Sequence, residues 1–276
     1  MHVGVDIGGT KTLVAVLDGN GVIVEREKIP TPKLYDDFLA QLKTTVSRFA
    51  VQDYLSAGVA VPGRLDRHKG IVLSLGNLPW KNEPIQADVE AILNCPVVIE
   101  NDAKMAGLSE SMLNPDVSTI LYITVSTGIG TSVIHDRKLD PSMLNSEGGH
   151  MMIPFKGKLV SWESFASGRA IAEKFGKKAS DIDPNDAEAW KYIARNLSLG
   201  MFELITVVEP DLIIIGGSIG TYFHNFSEYL AVELKKFETP LVPIPKIVQA
   251  GRPEEAAVFG CYDLAKQVFP YAVDNK

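Results

Sequence analysis

Apolar and β-branched residues crowd the first thirty positions in three short runs, "HVGVDIG", "KTLVAVLD" and "VIVEREKI", the last two separated by "GNG". Runs of this length, rich in Val and Ile and bounded by Gly and Asn, predict three consecutive strands joined by tight turns. The period then changes. In "KLYDDFLAQLKTTVSRFA" (33–50), Leu34, Phe38, Leu42, Val46 and Phe49 recur every three or four positions, the spacing of an amphipathic helix. "SAGVAVPG" reads as a buried strand ending at Pro62, "KGIVLSL" as another strand and "EPIQADVEAILN" as a helix. "PVVIEND" is a strand running into polar residues, with "AKMAGLSESML" as the helix behind it.

A second cycle follows. "STILYITVSTGIGTSVIHD" is again strand, glycine-rich turn, strand, and laying it on the N-terminus places Val5 on Val125 and Gly8 on Gly128. A helical stretch over about 184–208 leads into the strand and glycine turn of "PDLIIIGGSIG". The helix "FHNFSEYLAVELKKF", a strand at 246–249 and a last helix over about 254–268 complete the chain. Two β-β-β-α-β-α-like cycles predict a duplicated α/β architecture of two domains with a cleft between them, and no low-complexity linker separates the halves.

Composition narrows the function classes. With 27 Lys and Arg against 34 Asp and Glu, the net charge of −7 argues against a nucleic-acid partner, which needs a basic face. Cys95 and Cys261 are the only cysteines and lie far apart, so no disulfide framework or cysteine-rich zinc site is expected, which suits a reducing compartment. No apolar run reaches the ~18 residues that span a bilayer. The N-terminus enters a strand with no basic and apolar leader, and a cytoplasmic protein with no membrane partner is expected. The Asn-x-Ser sequons at Asn196 and Asn225 then read as chance matches.

Glycines inside a β run need a reason. A dinucleotide fold would follow Gly8 and Gly9 with a helix, yet "TLVAVLD" is β-branched. A P-loop would need a different spacing than Gly4, Gly9, Thr10 and Lys11 provide. Both also use a helix N-terminus to bind phosphate. Two readings remain: a phosphate-binding β-hairpin, or a tight hairpin without a ligand. "TVSTGIGTS" offers Ser126, Thr127 and Thr131 around Gly128 and Gly130, so two such hairpins could close on a triphosphate. Gly216 and Gly217 end a buried strand with bare backbone suited to stacking under an adenine ring. Asp6 ends the first strand near the phosphates, where Mg²⁺ needs a hard oxygen partner, often through water.

Gly216 to Gly220 also spells G-x-S-x-G, the nucleophile-elbow pattern. After Ser218 the only histidine is His224, six residues on with no acid between, so the hydrolase triad fails for want of a base. Asn101 and Asp102 lie past the C-terminal end of "PVVIE", where open α/β sheets place ligands. Asp102 there could accept the proton of an attacking hydroxyl, or simply cap the following helix.

Taken together, "DIGGTKT", "VAVPGRLDRHKGIVLSLGNLPW", "ENDA", "STGIGTS", "EGGH", "WESFASG" and "PDLIIIGG", in this order, resemble the ROK family of sugar kinases, within the actin-like ATPase (ribonuclease H-like) superfamily. The resemblance spans nearly the whole chain. It implies ATP- and Mg²⁺-dependent phosphorylation of a hexose at the 6-hydroxyl, glucose first, with N-acetylmannosamine, N-acetylglucosamine, fructose and allose as alternatives. A non-catalytic sugar or nucleotide sensor of the same fold is the rival reading. Asp102 would be the base, and Asn77, Asn101, Asp102, Glu147, His150 and Glu163 would hold the sugar. Asp6, Gly8, Gly9, Thr10, Lys11, Thr127, Gly128, Gly216 and Gly217 would hold ATP, with Asp6 near Mg²⁺ through water. The resemblance also implies a small domain of 1–102 plus 258–276 and a large one of 103–257, and leaves a homodimer open. The sequence departs from the family at 151–163, where "MMIPFKGKLVSWE" replaces a run of three zinc-binding cysteines. Structural zinc needs four ligands and only His150 is left, so no zinc is expected. How the sugar-side loop is held is left open. With the first glycine motif beginning at Asp6, the helix-turn-helix of the family's repressors is not expected.

Overall fold

The computed structural model describes residues 1–252 and 255–270. They fall into two compact units, 1–109 with 255 onward, and 110–254.

The first unit opens with β1 (His2–Ile7), β2 (Lys11–Leu17) and β3 (Ile23–Pro30), followed by α1 (Tyr35–Val46) and β4 (Ser56–Val61). A short hairpin, β5 (Arg64–Asp66) and β6 (Ile71–Ser74), precedes α2 (Ile85–Leu93), β7 (Val97–Asn101) and α3 (Asp102–Met112). The sheet order is β3-β2-β1-β4-β7: an antiparallel meander, then two strands parallel to β1. Val5, Val14, Val59 and Ile99 meet Phe38, Leu42 and Trp80 in its core. Leu34, counted above with the apolar face of the helix, lies before α1 and is exposed. α1 also stops short of residue 50, because Arg48 and Phe49 bond back to Thr45 and Val46, three residues away, and tighten the last turn.

The second unit begins with β8 (Thr119–Val125), β9 (Ile129–His135) and the stub β10 (Lys138–Leu139). A hairpin, β11 (Met152–Phe155) and β12 (Lys158–Ser161), leads to the short helix α4 (Glu163–Ala166) and to α5 (Gly168–Phe175). Then come α6 (Ala187–Val208), β13 (Leu212–Gly216), α7 (Gly217–Gly220), α8 (Phe223–Lys235) and β14 (Lys246–Gln249). The sheet order β10-β9-β8-β13-β14 repeats that of the first unit, strand for strand. Ile123, Ile213, Trp162, Trp190, Leu197 and Phe226 fill its core.

The last paired residues of the two glycine hairpins are Ile7 and Val125. The repeats therefore superpose two residues away from the alignment on glycines, because Gly8 is the first residue of its loop and Gly128 the third of its own. A shift of two keeps every side chain on its own face of the strand.

The last helix, α9 (Ala256–Val268), belongs to the first unit and lies on β1 and β4. Its approach is close. A Cβ at Gly58 would come within 2.4 Å of the Cys261 carbonyl oxygen. Residue 254 of the expected last helix and residues 271–276 of the expected small domain lie outside the described residues. Among the described residues no helix is long and apolar enough to cross a membrane.

Candidate functional site

In the first unit the candidate residues gather at the C-terminal edge of the parallel strands. Asp6 pairs in register with Ala60, and Asn101 with Val61, so both lie at the ends of β1 and β7. Asp6 keeps some contact with solvent, yet the surrounding protein desolvates its carboxylate. That desolvation, followed by the charge of Asp102, pushes its pKa up to about 7, while Lys28 opposes the shift.

Asn101 and Asp102 divide the start of α3 between them. The Asn101 side-chain oxygen accepts the amides of Ala103 (3.0 Å) and Lys104 (3.3 Å), which is N-cap geometry. Asp102, the first residue of the helix, also accepts the Ala103 amide, at 2.8 Å. The Asn101 amide nitrogen donates to the Gly63 carbonyl at 3.3 Å, so this side chain spends most of its hydrogen-bonding capacity inside the protein.

Beneath the pair lies a buried ion pair that the sequence reading did not single out. Arg67, from the β5–β6 loop, donates to both oxygens of Glu100, from Nε at 2.6 Å and from a terminal nitrogen at 2.5 Å. Glu100 is 2% exposed and also accepts the amide of Asn101 at 2.6 Å. The available signal was a charged residue ending the apolar run "PVVIE", since a buried carboxylate demands a partner.

Gly8 and Gly9 turn out to be crowded. A Cβ on Gly8 would come within 2.7 Å of the Lys11 carbonyl oxygen, which accepts the Gly8 amide to close the turn. A Cβ on Gly9 would come within 2.7 Å of Asn77 Cβ. Gly9 is therefore bare where a candidate sugar residue packs on it. Thr10 and Lys11 are exposed at the turn.

In the second unit the other hairpin has the same relation to the other candidate sugar residues. Gly148 and Gly149 form a 3₁₀ turn pressed on β9: the Gly148 amide donates to Thr131 Oγ1 at 3.2 Å, and a Cβ on Gly149 would strike the Ile129 carbonyl oxygen at 2.1 Å. This flat seating holds Glu147 and His150, both exposed, at the two ends of the turn. Glu163, at the head of α4, accepts the Ile129 amide on Oε2 at 3.2 Å. Its Oε1 lies 4.0 Å from His150 Nδ1, close enough for both to meet one ligand hydroxyl.

Local packing aims Glu163. Its neighbour Trp162 is fully buried, donates to the Asn196 carbonyl at 3.1 Å, and fills a slot on α6 where a Cβ at Gly200 would collide with the indole at 2.1 Å. The β11–β12 hairpin lays Phe155 on Phe165 of α4, rings 4.1 Å apart and 6° from parallel. Segment 151–163, whose anchoring the sequence left open, is thus held by aromatic packing at both ends of α4. Both cysteines belong to the first unit and are buried there, Cys95 with a thiol that burial pushes up to about 12.

Ser126 ties the hairpin to the third glycine turn. Its hydroxyl oxygen accepts the Ser218 amide at 3.0 Å and its carbonyl accepts the Gly168 amide at 2.7 Å. Gly217 has φ +78° and sits where a Cβ would meet Thr124 and Ser126, while Gly216 leaves room for the Tyr122 hydroxyl. Thr127 is exposed at the hairpin tip. Among the described residues no group of three or more His, Cys, Asp or Glu is placed to hold a metal ion.

The profile of the ROK family matches residues 2–268. A glucokinase from Streptomyces coelicolor is 26% identical over 98% of this chain and 99% of its own length. An N-acetyl-D-glucosamine kinase from Escherichia coli is 27% identical over 94% and 97%. The crystal structure of a ROK family glucokinase from Streptomyces griseus, in complex with glucose and AMPPNP, superposes with a TM-score of 0.82 at 25% identity, covering 96% of this chain and 99% of that one.

Proposed function

Because the chain belongs to the ROK family and shares the actin-like α/β fold of its sugar kinases, we propose that it is an ATP-dependent hexose kinase of the cytoplasm, acting on the 6-hydroxyl of glucose. The observation that carries this reading is the placement of Asp6 at the end of β1 and of Asp102 at the head of α3, just past the end of β7, both at the C-terminal edge of one sheet. Capping of α3 by Asn101 supports a role for Asp102 beyond the cap. Asp102 takes the proton of the sugar's 6-hydroxyl as that oxygen bonds to the γ-phosphorus and the bond to the β,γ-bridging oxygen breaks, releasing ADP.

Gly8, Gly9, Thr10 and Lys11, with Thr127 and Gly128, cradle the phosphates, and Gly216 and Gly217 lie beside the adenine. Asp6 would hold Mg²⁺ through water, and a pair of hard carboxylate oxygens fits an ion that rarely takes more than one or two such ligands and completes its shell with phosphate and water. When bound, Mg²⁺ neutralises charge developing on the transferred phosphoryl group. Glu147, His150 and Glu163 take the ring hydroxyls, with Asn77 and what remains of Asn101's donor capacity. Glucose is put first because a neighbour at 25% identity is solved with glucose, and an N-acetyl-D-glucosamine kinase of similar identity keeps the N-acetylhexosamines as the alternative.

ATP consumption over a hexose panel with Mg²⁺ tests the reading. Turnover of glucose above the other sugars is expected; turnover of another hexose corrects the substrate alone, and sugar binding without turnover of any leaves the sensor. Asp102→Asn should lower kcat at least about a hundredfold, the scale of a lost general base, with sugar affinity and melting temperature nearly unchanged. Near-normal turnover with earlier melting would instead make Asp102 a structural cap, whose loss costs only about 1 kcal/mol.

A further inference from the structure

In each unit a glycine of a phosphate-side hairpin is bare where a sugar-side residue rests on it. Gly9 seats Asn77 in the first unit, and Gly128 seats Glu163 in the second, where a Cβ would lie 2.7 Å from Glu163 Oε2. The second contact carries a hydrogen bond as well. The Ile129 amide, first in β9, donates to that same oxygen at 3.2 Å, and the Ile129 carbonyl lies under Gly149 between Glu147 and His150. One peptide segment thus touches both sugar-side turns and forms one side of the nucleotide hairpin.

We propose that Glu163 is the joint coupling the two substrates: hexose bound by its Oε1 and His150 fixes the carboxylate, whose Oε2 holds the Ile129 amide and with it the 126–128 hairpin in the form that takes the triphosphate. The inference rests on the hexose kinase reading and adds a thermodynamic consequence. Ordering shared by two ligands is met once, so the second to bind has less to order, and each raises the affinity of the other by the same factor. Ser126 extends the coupled piece. It closes the hairpin by donating its amide to the Gly128 carbonyl at 2.9 Å, and it holds the Ser218 amide beside Gly217. Gly128 is accordingly a packing requirement: a methyl group there displaces the carboxylate from the Ile129 amide without altering either ligand-facing charge.

The test is calorimetric binding of AMPPNP with Mg²⁺, with and without saturating glucose, N-acetylglucosamine serving as second probe. The wild type should bind AMPPNP about tenfold more tightly with hexose present, within the usual range of such couplings. In Gly128→Ala that factor should fall below about twofold. Glu163→Ala, which removes the joint without adding bulk, should abolish it as well, and it keeps the test decisive if Gly128→Ala fails to fold. Gly9→Ala, whose methyl group meets Asn77 instead, should leave more of the coupling than Gly128→Ala does. If neither probe binds the wild type, the hexose that the turnover panel selects takes their place; if no hexose of the panel binds, the kinase reading fails and the inference with it. If sugar and nucleotide both bind but without mutual enhancement, or if the enhancement survives undiminished in Gly128→Ala and Glu163→Ala, the kinase reading stands and the coupling role of Glu163 is overturned.

Discussion

Asp102 and Arg67 show what single residues reveal and conceal. Asp102 announces itself because a polar pair follows a buried strand, whereas Arg67 stands in an unremarkable loop and meets Glu100 across 33 positions of sequence. Only the fold brings them together, and through Glu100 the pair holds the backbone amide of Asn101, the residue before Asp102. Glu100 is too buried to stand alone. Arg67→Ala leaves its charge uncompensated, which typically costs about 3–5 kcal/mol, so a marked drop in melting temperature is expected. Arg67→Lys separates support from charge: it keeps the cation but loses the two-pronged contact to the carboxylate. This variant should recover most of the lost melting temperature while kcat stays about tenfold low and the KM for ATP is unchanged, because Asn101 and Asp102 are no longer held in line. Full recovery of kcat in Arg67→Lys would reduce the pair to a stabilising contact. The reason for Gly8 also changes at this scale. A substitution there breaks the turn itself, so Gly9→Ala, which probes the Asn77 contact, is the more informative change.

Among the elements, long periodic segments were legible and short ones were not. α6 and β13 could be read from periodicity and β-branched content, but the hairpin of β11 and β12 gave no comparable signal. Each strand has four residues, and the two-residue turn is Lys156 and Gly157, at φ +49° and +75°, where the usual hairpin signal is Asn-Gly. The hairpin matters because it carries Phe155 onto Phe165, one residue pair beyond Glu163. Parallel stacking of this kind contributes about 0.5–1.5 kcal/mol beyond the area it buries. Phe155→Ala should therefore raise the KM for the hexose several-fold while leaving the KM for ATP near normal, measured at saturating partner substrate. An equal rise in both would place the hairpin's influence outside the sugar side. On the opposite end of α4, Gly200→Ala should destabilise by at least about 1–3 kcal/mol, since the added methyl group overpacks the Trp162 slot. Gly200 lies inside a helix, where sequence alone offers only its cost in helix propensity.

At the scale of the chain, the sheet order repeated in both units was foreshadowed by the recurring glycine hairpins, while no local pattern places α9 beside β1. His2 marks that closure. It is fully buried at the start of β1, its Nδ1 lies 2.9 Å from the Ser56 hydroxyl of β4, and its ring meets Tyr262 of α9 edge to face at 5.3 Å. Burial, then the charges of the N-terminus and Lys266, depress its pKa from 6.5 to about 4. Between those values the unfolded chain binds a proton that the folded chain refuses, so stability is full above about pH 6.5 and is lost as the pH falls toward 4. Asp6, raised from 3.8 to about 7, works the other way: its folded form takes up a proton first, and its contribution grows as the pH falls through 7. The two slopes oppose each other in the apoprotein, so a nearly flat profile of the wild type would hide both. Comparison with His2→Gln separates them, because glutamine keeps a partner for Ser56 and carries no titrating proton. In Mg²⁺-free buffers from pH 7.5 to 4.5, melting temperature should fall more steeply with acid, or rise less, in the wild type than in His2→Gln. Parallel profiles would mean that protonation of His2 does not reach the contact of β1 with α9, and that acid loosens the first unit elsewhere.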